Sequence, residues 1–178
     1  MRSLAAELEV TPMAVYRHVR DKDEVLEQVV SALFETVELP GGNLAWDERL
    51  RVVARAARDL AIAHPHVVGL LFHRPTSSPA MVGIVDTIYR AILEAGVPGT
   101  EVPRLERLTS SFVLGFAVSQ AHGRFGSLDA TRAHRGRERG GAHQELSPVL
   151  AEPVDWDQEY EQDLTDLIRL ITDTAGRG

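Results

Sequence analysis

Leu4-Ala5-Ala6-Glu7-Leu8-Glu9-Val10-Thr11-Pro12-Met13-Ala14-Val15-Tyr16-Arg17-His18-Val19-Arg20-Asp21-Lys22 is the stretch whose reading decides the fold. Leu4, Ala5 and Leu8 fall on one face of a short helix. Glu9-Val10 makes a turn. Thr11 is a natural N-cap, because its hydroxyl can accept an otherwise unpaired backbone N–H. Pro12 suits the first helical position, where its missing N–H is not needed. A second short helix runs from there to about Val19. Asp21, with Glu24 three residues on, has the form of a capping box and opens a third helix.

Two short helices joined by a tight turn, the second with a free outer face, can enter a major groove as a helix-turn-helix. Leu4, Ala5, Leu8, Val10, Val15 and Val19 are predicted to pack the two helices together. Thr11, Met13, Ala14, Arg17 and His18 are left facing out. Small residues at the helix start permit close approach of the backbone. Arginine and histidine can donate to phosphate or to guanine acceptors.

Outward from this stretch the chain reads as nearly all helix. Val25, Leu26, Val29, Val30, Leu33, Phe34 and Val37 recur at helical spacing until Pro40-Gly41-Gly42. Trp46 to Ala63 is the next helix, broken by His64-Pro65. Val67 to Phe72 is a short apolar segment stopped by Arg74-Pro75. Pro79 to Ala95 is helical, with Gly96 as its stop. A long helix follows from Val102 to about Gly123. Arg124 to Pro153 is weakly periodic and reads as a mobile connection with a short helix near Asp129. A final amphipathic helix spans Trp156 to about Thr174. The expected class is all-α, with a head over 1–38 that includes the connecting helix, and a helical-bundle body over 39–178.

The 178 residues carry a net charge of −7 and no cysteine. Disulfides, thiolate metal sites and cysteine nucleophiles are therefore excluded. The longest apolar runs, such as Val67 to Phe72 and Phe112 to Val118, fall short of the ~18 residues that a membrane span needs. No signal-peptide pattern opens the chain, so a cytoplasmic protein without a membrane partner is expected. The net charge argues against nucleic acid at first sight. Eighteen of the 26 acids lie in the body, among them Asp47, Glu48, Glu94, Glu101, Glu106 and those from Asp155 to Asp166, and eight lie in the head. Lys22, the only lysine, lies in the head.

The stretch Leu4 to Lys22 resembles the second and third helices of TetR-family repressors, most specifically in Tyr16-x-His18-Val19-x-x-Lys22 followed by a long apolar helix. The resemblance implies roles position by position. Tyr16 and His18 match residues that touch the DNA backbone, and Lys22 a lysine on phosphate. Pro12, Met13 and Ala14 match the base-facing start of the recognition helix. Arg2 matches an arginine that reads guanine, and Thr11 a cap whose hydroxyl also reaches phosphate. Glu9 stands where the family usually has glycine, at a turn position that prefers positive φ, at a cost of about 1 kcal/mol. The family's head also has one more helix and a basic arm before these two, and Met1 falls where the second helix begins. The expectation is a head lacking one wall, with DNA binding by these residues alone left open.

Trp46-x-x-x-Leu50-Arg51 and Arg74-Pro75-Thr76 extend the resemblance, at lower specificity, into the family's regulatory domain. That implies a small-molecule effector held in a largely apolar cavity with a few polar groups. The candidate lining is Val53, Ala57, Leu70, Phe72, His73, Ile84, Val85, Ile88, Phe112, Phe116 and Gln120. The family's magnesium-binding histidine falls at Leu70, so a magnesium–drug complex is not expected and an apolar or aromatic molecule is. His64-x-His66 has metal-like spacing but no third ligand, and no cofactor or metal is expected.

Ser111, Gly115 and Ser119 form a small-residue row at four-residue spacing. With the apolar face of Leu164, Leu167, Ile168 and Ile171 they are the expected homodimer elements, two helices per chain making a C2 four-helix bundle. Twofold symmetry would present two heads to half-sites about one DNA turn apart, hence a pseudo-palindromic double-stranded operator. The function expected is a repressor whose homodimer an effector releases from DNA. The alternative is a small-molecule-binding or protein-interaction module that has lost DNA binding. An enzyme is disfavoured: no nucleophile elbow, glycine-rich phosphate loop or metal constellation is present in the sequence.

Overall fold

The computed structural model describes residues 1–72, 78–124 and 154–177, apart from the side chains of Leu71 and Phe72. Among them every regular element is a helix: α1 (Arg2–Glu7), α2 (Pro12–Tyr16), α3 (Lys22–Glu35), α4 (Trp46–Ala63), α5 (Pro65–Val68), a 3-10 turn (Gly69–Phe72), α6 (Pro79–Glu94), α7 (Val102–Ala121) and α8 (Trp156–Ala175). The side chain of Phe72, together with His73, Arg74-Pro75-Thr76 and the connection over 125–153, lies outside the described residues.

Local chemistry sets the helix ends. Thr11 Oγ1 accepts from the Ala14 N–H at 3.2 Å, and Asp21 Oδ1 from the Glu24 N–H at 2.9 Å. Ser78 caps α6 ahead of Pro79, and Asp155 caps α8 by accepting from Asp157 and Gln158. Gly96, at φ 89, closes α6 in a conformation that side chains avoid. Glu9 adopts φ 54 in the α1–α2 turn, alone among the described non-glycine residues in having a positive value. The turn therefore carries the strain expected of it.

The body's largest core cluster draws on five helices. Val30 and Phe34 of α3 meet Leu50 and Val53 of α4, Ile84, Ile88 and Ile92 of α6, Leu105 of α7, and Leu167 and Ile171 of α8. Burying each such side chain is worth about 1.5–3 kcal/mol. Helix α3 thus begins in the head and ends as part of the body's core.

Helix α8 is fastened to α4 and α7 from within the chain. The Tyr160 hydroxyl donates to the Ala54 carbonyl at 2.7 Å, and its ring lies 5.7 Å from Phe112 and 4.9 Å from Phe116. Burial pushes the Tyr160 hydroxyl's pKa up, against the opposing pull of Arg58. Arg55 forks onto both Glu161 oxygens at 2.8 and 2.9 Å, Arg58 pairs with Asp157, and Arg51 reaches Thr165 at 3.2 Å. The Arg55 guanidinium holds the Glu161 carboxyl below its usual range.

This packing corrects the expected dimer face. Leu164, Leu167 and Ile171 are buried in the chain's own core, so a partner cannot reach them. An amphipathic stripe shows that a face is covered, not by which chain. Among the described residues a ridge is left open on α7, where Leu108 and Ser111 are exposed and a Cβ added at Gly115 would meet nothing within 4 Å. Ser119 and, on α8, Ile168 are half-buried.

Candidate nucleic-acid interface and effector cavity

The outer face of α2 is built by spacing. Pro12 and Tyr16 stand one turn apart, as do Met13 and Arg17. All four are exposed, Met13 at 69%. Ala14 is half-buried beneath them, and His18 is exposed just beyond the helix. Lys22 is exposed at the first position of α3, and Arg2 at the first of α1. The structure therefore brings Thr11, Pro12, Met13, Tyr16, Arg17, His18 and Lys22 onto the surface of the turn region, with Arg2 on the neighbouring helix. Arg20 is committed elsewhere: its backbone N–H and Nε reach Glu24 Oε2 at 2.6 and 3.1 Å. Those hydrogen bonds hold the Glu24 carboxyl below its usual range.

Beneath α2 the packing differs from expectation. Ala5 and Val19 are buried, but Leu8 is 58% exposed and Val10 is open as well. With Leu4, Val15, Val25 and Val29 they line an open groove of about 460 Å³ between the three head helices. The two short helices do not by themselves offer enough surface to cover Leu8 and Val10.

The body holds a second cavity, of about 60 Å³, between α4, α6 and α7. Leu50, Val53, Ala54 and Ala57 line it from α4. Met81, Ile84, Val85 and Ile88 face it from α6. Thr109, Ser110, Val113 and Leu114 close it from α7, and Phe34 reaches in from α3. No lining side chain among these carries a charge. Thr109 Oγ1 donates to the Leu105 carbonyl at 2.8 Å, and Ser110 Oγ to Glu106 Oε1 at 2.7 Å.

A model of the tetracyclin repressor-like C-terminal domain matches residues 39–160. The chain belongs to the TetR family. It is similar to an HTH-type transcriptional regulator of Saccharopolyspora erythraea, at 26% identity over 99% of this chain and 77% of that one. A structure of BioQ with its natural double-stranded DNA operator matches at 32% identity and TM-score 0.60, covering 84% of each chain. The fold matches that of the TetR-family protein ActR of Streptomyces coelicolor, solved with actinorhodin, at TM-score 0.81 and 24% identity over 99% of this chain and 88% of that one.

For this TetR-family regulator the cavity gathers some of the residues expected at an effector site and leaves others out. Val53, Ala57, Ile84, Val85 and Ile88 line it. Phe112 and Phe116 do not line it: the rings of both pack on Tyr160. Gln120 is held by Arg58 at 2.8 Å, and Leu70 packs on the outside of the core. Phe34, Met81, Thr109 and Ser110 went unread. Thr109 and Ser110 were the legible ones, as two of the three consecutive hydroxyls, Thr109 to Ser111, midway along α7. Among the described residues no group of three or more His, Asp or Glu could hold a metal, and no helix is long and apolar enough to cross a membrane. His66 and His122 stand edge to face at 6.2 Å, the latter with Nδ1 2.9 Å from the Val118 carbonyl.

Proposed function

We propose that the chain is a cytoplasmic transcriptional repressor whose homodimer binds a pseudo-palindromic operator and is released by a small apolar effector. The observation that carries this is the dual membership of α3. The helix starts with Lys22, exposed six residues beyond the end of α2, and near its other end Phe34 stands in the wall of the cavity. The twelve residue steps from one to the other span about 18 Å of helix, so a tilt of about 10° at one end swings the other by about 3 Å. Ligand pockets hold roughly 300–1,000 Å³, so an occupant has to part the walls of the present cavity. Met81 and Phe34 are the walls that can give, Met81 because its thioether chain is flexible. Displacement of Phe34 would tilt α3 and change the distance between two heads, lowering affinity for half-sites one DNA turn apart.

In this reading Pro12, Met13 and Ala14 face bases, Arg2 reads guanine, and Thr11, Tyr16, Arg17, His18 and Lys22 hold phosphate. The dimer forms over Ser111, Gly115, Ser119 and Ile168, and no residue has a catalytic role. The BioQ–operator and ActR–actinorhodin complexes support the two kinds of partner. The test is an anisotropy titration of the protein against labelled DNA from upstream of its own gene. Binding that weakens with salt, and with Lys22→Ala, is expected. Equal affinity for that DNA and for random DNA would sink the operator reading.

The open groove beside Leu8 and Val10 favours a second reading, a sensor module without useful DNA affinity. Effector binding in the absence of any DNA binding would select it.

A further inference from the structure

We infer that the cavity selects an uncharged, apolar ligand that carries a hydrogen-bond donor, an O–H or N–H, and that Ser110 Oγ is the group that accepts it. The inference rests on reading the cavity as the effector site. Thr109 and Ser110 are the polar side chains among its described lining. The hydrogen of each hydroxyl is already committed: Thr109 gives its own to the Leu105 carbonyl, and Ser110 gives its own to Glu106. A carboxylate oxygen has only lone pairs, so Glu106 fixes Ser110 as the donor of that bond and leaves Ser110 Oγ with lone pairs alone to offer. Glu106 is itself buried, so water does not readily take Ser110's place.

The consequence is a polarity rule. A ligand hydroxyl or N–H beside Ser110 finds an acceptor. An ether, ester or ketone oxygen there sets lone pair against lone pair and loses its hydration without return. A charged ligand fares worse still, because no described lining residue carries an opposite charge.

The test is calorimetric titration of the full chain with 2-naphthol, 2-methoxynaphthalene, naphthalene and 2-naphthoate. Wild type should bind 2-naphthol about tenfold more tightly than its methyl ether, the worth of one buried hydrogen bond, and 2-naphthoate weakest of the four. Ser110→Ala should bring naphthol and ether within about twofold while leaving naphthalene unchanged, and Ser110→Thr should keep the preference. Glu106→Gln is the sharper variant: its amide can donate to Ser110, freeing the hydroxyl to turn round, so the ether should gain on naphthol. Equal binding of naphthol and ether by wild type, or a preference that survives Ser110→Ala, overturns the acceptor role and leaves the cavity standing. Tight naphthoate binding overturns the rule against charge. Binding of none of the four overturns the effector-site reading together with it.

Discussion

In the body, Tyr160, Ile92, Leu105 and Ile171 are sealed from solvent, whereas in the head Leu8, Val10 and Val29 stay open along a groove. Both regions use short apolar repeats on helices. The difference is the number of faces available to cover them. The body brings α3, α4, α6, α7 and α8 around its largest core cluster. The head brings six- and five-residue helices against one side of α3. Its order rests on the cap bonds of Thr11 and Asp21 and on the buried Ala5 and Val19. A local rule can therefore make a helix-turn-helix recognisable while tertiary burial gives it little support.

The comparison breaks most directly by truncation. Leu105→Ala should cost about 2–5 kcal/mol in urea unfolding, while Leu8→Ala should stay within about 0.5 kcal/mol. A large loss at Leu8 would mean that something covers the groove in solution. DNA binding comes next. Lys22→Ala should lower affinity for every sequence and reduce the salt slope by about one unit. Met13→Ala should instead change which sequence is preferred. If the two variants behave alike, the separation into phosphate and base contacts is wrong.

Two smaller effects probe how α8 is fastened. Tyr160→Phe should cost about 1 kcal/mol at neutral pH, by losing the bond to Ala54. Because the folded hydroxyl ionises later than the ordinary 10.0, the unfolded chain loses its proton first. Wild-type stability should then fall as pH rises above 10, and the variant should show a shallower fall. The smallest effect is Glu161→Gln. Arg55 depresses the Glu161 carboxyl, so its contribution is present above the unfolded value of ~4.3 and vanishes as pH falls through the folded one. Less than about 1 kcal/mol is expected, since the pair is half exposed. An acid unfolding curve identical to wild type would show that the fork contributes nothing.

The sequence made the helices legible because their ends are chemical: Thr11, Asp21, Pro79 and Gly96 act where they stand. It also made the Glu9 turn legible, since a position that favours glycine leaves any other side chain strained. The cavity was half legible. Val53, Ala57, Ile84 and Ile88 sit on stripes that can only face inward. Phe112 and Phe116 sit on an equally apolar stripe, but the rings of both pack on Tyr160, far along the chain. The same logic undid Leu164, Leu167 and Ile171 as dimer residues. Periodicity reports that a side chain is buried, and only the three-dimensional neighbours report against what.

Helix α3 has a practical consequence for anyone building chimeras. Exchanging heads between relatives at residue 38 would replace Val30 and Phe34 with the foreign head's residues, although both belong to the recipient's core. The junction that respects the packing lies inside the helix, ahead of Val30. A graft made there keeps the recipient's own beam end in its own socket, and only the reading surface is new.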